Sequence, residues 1–242
     1  MKLLSGTDTI SIRPAEREDA PFLAGLYRTI AVTRENYRQV LGDGERSFAR
    51  CGGMFEISSE ERLRQVIEDP QERIIVGAYN DKPCAMLWYG MAKEGLFHTL
   101  HPVGGFEGIP AFLTREIRAK RMGYAEEIIS IVEGCPHVMP FALFCAMMED
   151  YSAAGIPHTT GEVFEVTGYD DEEGHAERSL LNGASFRFLM ETGGDLVGCT
   201  APKTVKLDGF SVHICPKVFL WDTASSTDVL KKILSEKGWR RP

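Results

Sequence analysis

Between Glu72 and Gly90 the chain reads ERIIVGAYNDKPCAMLWYG, two β-rich apolar runs joined by Asn80-Asp81. An Asn/Asp pair tolerates the left-handed backbone of a two-residue turn, so this segment predicts an antiparallel hairpin. A second such signal lies where DLVGCTAPKTVKL and FSVHICPKVFLWD meet around Asp208-Gly209. The rest of the chain has to fold around these two pairs, and it alternates between helical and extended periods. TISIRPA, from Thr9, alternates and stops at a proline, as a short first strand would. EREDAPFLAGLYRTIAVTREN begins acidic and sets Phe22, Leu23, Leu26 and Ile30 at helical spacing. SSEERLRQVIEDP opens on a capping box of Ser58 and Glu61 and closes at Pro70, predicting a second helix.

Further on, YAEEIISIVEG predicts a strand, MPFALFCAMMEDYSAAG a helix ending at Gly155, and HTTGEVFEVTG another strand. LLNGASFRFLMETGG, Leu180 to Gly194, predicts the next helix, and an amphipathic helix runs from about Ser226 to Lys237. YDDEEGHAE reads as an acidic loop. Ala92 to Gly123 reads as an insertion holding a helix, AFLTREIRAKRMG, that ends at a glycine cap. No internal repeat or low-complexity linker interrupts the 242 residues, which points to one domain over 1–242.

Charge narrows the partners. Thirty-five acidic residues against 27 basic give a net charge of -8, so there is no broad basic field for nucleic-acid phosphates. No run of roughly 18 apolar residues is present to span a bilayer, and MKLLSGTDTISIRP lacks a signal peptide's apolar core. The expectation is a cytoplasmic protein that binds neither nucleic acid nor membrane. The six cysteines form no CxxC pair and several sit in apolar runs, which predicts reduced structural thiols. His98 and His101 in HTLH have no third ligand at a recognisable spacing, so no metal site is expected.

The order strand, two helices, hairpin, strand, helix, strand, helix, hairpin resembles that of the GCN5-related N-acetyltransferases. In that family the helix written here as LLNGASFRFLMETGG carries an Asn, a small residue three positions on and a Gly eleven on, matched by Asn182, Ser185 and Gly193. The resemblance runs from about Thr9 to Asp222, with 92–123 and 169–178 as extras. It implies an α+β fold with a central mixed sheet of about seven strands flanked by helices. It also implies acetyl-CoA or another acyl-CoA as cofactor, and transfer of the acyl group to the primary amine of a small molecule or peptide.

The family's pyrophosphate loop would fall after Val132, over HVMPFA, where only the final Ala142 keeps the family pattern. By that register Val132, Gly134, His137, Val138, Met139, Phe141, Ala142, Asn182 and Ser185 would hold the cofactor. Such a loop binds anions through free N–H groups at a helix start, and Pro140 contributes none. No Lys or Arg occurs from Ile131 to Met148; the basic run at Arg115, Arg118, Lys120 and Arg121 could supply charge or simply face solvent.

Counting back eleven residues from His137 gives Glu126 as the general base that the resemblance implies, with Glu133, Glu162 and Glu165 as weaker candidates. The family's Tyr acid would stand at 189, which is Leu here. Three functions stay open: an acyltransferase, a catalytically inactive module of the same fold that binds another ligand or a protein, or a structural subunit whose final hairpin pairs with a partner through an exposed edge. A homodimer is also left open.

Overall fold

The computed structural model describes residues 1–42, 48, 55, 58–130 and 133–242. Eleven strands form one sheet among these residues: β1 (Lys2–Ser5), β2 (Asp8–Pro14), β3 (Glu72–Tyr79), β4 (Lys82–Met91), β5 (His101–Pro102), β6 (Met122–Ile129), β7 (His158–Asp171), β8 (Gly174–Leu181), β9 (Asp195–Cys199), β10 (Lys203–Leu207) and β11 (Phe210–Asp222). The main path runs β1-β2-β3-β4-β6-β7-β11-β9-β5, with β8 on β7 and β10 on β11. The mixed α/β architecture is as expected, but seven strands was too few.

Both hairpins form. Asn80 and Asp81 sit at φ 47° and 64°, the positive values their turn demands, and Gly209 at φ 79° joins β10 to β11. The extra strands are β1, β5, β8 and the division of DLVGCTAPKTVKL into β9 and β10. β1 folds back on β2 ahead of the first strand expected from the sequence. The acidic stretch read as a loop is a hairpin, because β8 pairs antiparallel with the far end of β7.

The helices are α1 (Ala20–Ile30), α2 (Tyr37–Gly42), α3 (Glu60–Glu68), α4 (Ile109–Arg118), α5 (Met139–Ala153), α6 (Gly183–Glu191) and α7 (Thr223–Glu236). Three boundaries differ from expectation. Ser59, not Ser58, caps α3 by accepting the Arg62 N–H at 3.1 Å. α4 ends at Arg118, with Ala119 as its C-cap and Lys120 at φ 55°, ahead of Gly123, which already belongs to β6. α7 starts at Thr223, capped by Asp222, whose carboxylate accepts the Ser225 N–H at 2.8 Å.

Both faces of the sheet centre are covered, which is why β3 and β4 read as unbroken apolar runs. Ile75, Ala85, Leu87 and Tyr89 pack with α5, Phe219 and Trp221 on one face. Ile74, Val76, Met86 and Trp88 pack against Tyr27 and Leu63 of α1 and α3 on the other. The two-residue period of a strand distributes neighbours to opposite faces in this way. Segment 92–123 builds its own apolar cluster from Phe97, Leu100, Leu113 and Ile117 against Val197 and Val218. No helix of the described residues is long and apolar enough to cross a membrane.

Candidate active site

β6 and β7 are the parallel pair of the sheet, and they stay paired for only four positions, Met122↔His158 to Ala125↔Gly161. Beyond that point they part. β11 occupies the opposite edge of β7 from His158 to Asp170, so β8, which joins β7 from Glu165 onward, must lie on the edge that β6 has left. Residues 162–164 of β7 therefore face a gap, with no strand partner on that edge among the described residues. A cavity of about 380 Å³ fills it, reaching from Leu87, Ile128, Phe144 and Trp221 on the α5 face to Phe55, Val205 and Ile214 on the other.

Carboxylates rim this gap. Trp88 pairs with Glu127 and Tyr89 with Ala125, so Glu126 is the extra residue of a β-bulge. A bulge re-aims the side chain it carries, and Glu126 lines the cavity. Loss of water around it raises its pKa, helped by the negative charges of Glu72 and Glu162 and opposed by Lys93 and Arg62. Glu162 enters the same cavity from β7. Its Oε2 accepts the Tyr124 hydroxyl at 3.2 Å, while its buried Oε1 has no hydrogen-bond partner. Desolvation raises the Glu162 pKa against the pull of Lys203 and Tyr124. The Tyr124 phenol is held well above its ordinary value by burial and by the neighbouring carboxylates, so it stays protonated at neutral pH.

Glu127 also lines the cavity, but it is engaged with the hydroxyl of fully buried Tyr27 on α1, and desolvation brings its pKa to about 7. Neither Glu127 nor Tyr124 stands out in the sequence. Their neighbours in YAEEIISIV mark only a strand, and the burial that perturbs them comes from α1 and β7. Of the weaker candidates, Glu162 lies in the cavity, Glu165 is taken by Lys217 at 2.8 Å, and Glu133 is exposed.

Asn182 and Ser185 are brought to the same cavity by α6. Asn182 is 3% exposed and its Oδ1 accepts the Ser185 N–H at 3.0 Å, so it caps the helix. Gly193, at φ 83°, ends the helix, donating its N–H to the Met190 carbonyl. Asn, small residue and glycine at this spacing thus encode a helix start and stop, and the stop seats the next residue against the core. A Cβ on Gly194 would lie 2.5 Å from the Trp221 indole, whose N–H reaches Thr192 Oγ1 at 3.2 Å. Leu189, at the position of the family's Tyr acid, is buried in the cavity wall.

Val132 lies outside the described residues. Gly134 makes a left-handed turn at φ 81°, and His137 is exposed. Val138, Met139, Phe141 and Ala142 turn their side chains into the core. At the start of α5 the N–H groups of Met139 and Ala142 are taken by the carbonyls of Pro136 and Val138, and Pro140 has none. Of the basic run, Arg115 and Arg121 pair with buried Glu116 at 3.0 and 3.2 Å.

No family model and no curated protein matches the sequence. Solved structures do match in fold. Mycobacterium smegmatis RimJ in complex with CoA-disulfide aligns over 100% of this chain and 96% of its own at 11% identity, with a TM-score of 0.54. An uncharacterized protein from Bacillus halodurans aligns over 98% and 97% at 12% identity, TM-score 0.52. A probable acetyltransferase from Staphylococcus epidermidis aligns over 88% and 99% at 11% identity, TM-score 0.51. The chain has the fold of the GCN5-related N-acetyltransferases.

Proposed function

We propose that this protein is an acyl-CoA-dependent N-acyltransferase, most simply an N-acetyltransferase, acting on a primary amine. The observation that carries the reading is the gap between β6 and β7, with Glu126 set into it by a bulge and Glu162 facing it from the other strand.

The residues fit an acyl-CoA unevenly. The apolar wall of Leu87, Ile128, Phe144 and Leu189 suits the pantetheine arm, with Ser185 at the same wall. The start of α5, where the pyrophosphate would lie beside Gly134, His137, Val138, Met139, Phe141 and Ala142, offers fewer free N–H donors than a glycine-rich loop. Bound acyl-CoA supplies the thioester carbonyl on which the amine acts. Glu126, accessible and raised in pKa, takes the proton from the incoming ammonium directly or through a water. Glu162, lining the cavity from β7, attracts and orients the cationic amine. Tyr124 keeps a proton-bearing hydroxyl in the cavity, the role that Leu189 cannot fill.

The test is calorimetric titration with acetyl-CoA and with CoA, followed by an amine screen that reads thiol release. Saturable micromolar binding, about -8 kcal/mol, with turnover of at least one primary amine is the expected result. Binding without turnover of any amine would favour the inactive module, to which Pro140 and Leu189 also point; absence of binding to either would overturn the cofactor assignment.

A further inference from the structure

We infer that Asp170, His175 and His213 form a surface site for a divalent transition-metal ion of the zinc type, which would clip the β7–β8 hairpin to β11. The site lies away from the carboxylates of the gap and does not rest on the acyltransfer reading.

The strand register builds it. Asp170 stands directly opposite His175 across the β7–β8 pair, and directly opposite Ser211 across the β7–β11 pair, two residues before His213. Direct and diagonal cross-strand neighbours project from the same face, so both imidazoles reach one carboxylate. His175 Nδ1 lies 2.7 Å from Asp170 Oδ1, and His213 Nε2 lies 2.6 Å from Oδ2. One ligand atom from each residue lies within 4.8 Å of the others. Tetrahedral ligands at zinc distances of 2.0–2.1 Å stand about 3.3 Å apart, so the two Asp170 contacts at 2.7 and 2.6 Å would open slightly, and any separation near the 4.8 Å limit would close by up to about 1.5 Å, to admit the ion.

Two neighbours are arranged around these ligands. Gly168 makes room for His175: a Cβ there would stand 3.1 Å from the His175 Cε1 and 2.9 Å from the Ala176 carbonyl oxygen. Thr204 Oγ1 lies 3.1 Å from His213 Nδ1, and a hydroxyl can either donate or accept at that nitrogen. With Nδ1 protonated toward Thr204, the Nε2 lone pair is free for a metal, the outer-shell arrangement that orients ligating histidines. Two imidazoles and one carboxylate suit zinc and its neighbours among the divalent ions. The half-exposed site leaves a fourth position to water.

After dialysis against chelator, the full chain is titrated with zinc chloride by calorimetry and with cobalt(II) chloride by visible absorption. One equivalent of Zn(II) is expected to bind with saturation, and Co(II) to give a d–d band. Asp170→Asn and His213→Ala should weaken Zn(II) binding at least tenfold, and Thr204→Val about tenfold. Circular dichroism confirms that the variants fold, while the Co(II) band needs no variant. Absence of one-equivalent binding to the unaltered protein would overturn the site. Binding unchanged in the His175→Ala/His213→Ala double variant would overturn it too, by placing the ion elsewhere, for example on His98 and His101 or a cysteine.

Discussion

At the scale of single residues, two adjacent glutamates on one strand are set to opposite tasks. Glu126, freed by the bulge, is the proposed base, and Glu126→Gln should lower kcat by about 10²-fold or more while acetyl-CoA binding persists in calorimetry. The carboxylate works only when ionised, so kcat/KM should fall as the pH drops through its raised pKa, and the Gln variant should lose that acidic limb. Unchanged turnover would remove Glu126 from the reaction. Glu127 affects stability instead. Its pKa rises from 4.5 to about 7 on folding, so the native state holds its proton more tightly than the unfolded chain does. Stability is then full below about pH 4.5 and lost as the pH rises toward 7, by about 3 kcal/mol at most. Denaturant unfolding at pH 5 and pH 8 should show that loss in the parent and much less of it in Glu127→Gln. Glu126 could be located from the sequence by counting along a resembling motif. Glu127, Glu162 and Tyr124 could not be singled out as a set, because what perturbs them is the distant chain that shuts out water.

At the scale of elements, the start of α5 is where the proposed function is most exposed. Pro140→Gly restores an N–H at the first turn, and a hydrogen bond to a charged group contributes roughly 1.5–3 kcal/mol. If CoA lies there, the variant should bind it about tenfold or more tighter by calorimetry; unchanged affinity would place the pyrophosphate elsewhere. Asn182→Ala should cost about 1 kcal/mol of unfolding free energy through the lost cap. What could be read at this scale was what local chemistry determines. Asn80-Asp81 and Asp208-Gly209 carry their turns within themselves, and Pro70 and Gly155 close the helices before them. β8 was invisible for the opposite reason: GHAERSLL is mostly exposed, so it lacks the apolar signature of a strand and is held by pairing with β7. Two consecutive serines precede α3, and the capping-box pattern of Ser58 with Glu61 pointed one residue ahead of the Ser59 that caps it.

At the scale of the whole molecule, fold and site both depend on contacts far apart in sequence. Ala125 and Gly161, 36 positions apart in sequence, form the last pair of β6 with β7, and nothing local in either strand announces the parting. A ligand that binds only the native state should stabilise the chain by about 2.7 kcal/mol at a hundredfold excess over Kd. For a chain of this size that corresponds to a rise in Tm of roughly 5–10 °C, readable by differential scanning fluorimetry with CoA. The gap itself has one more consequence. A strand edge without a neighbour must satisfy its amides with water, or with whatever guest offers amides of its own. The guest in the gap would then be a missing rung of the sheet, and backbone exchange at those amides of residues 162–164 that point away from β11 should record its arrival: fast in the free protein, slowed when the rung is filled.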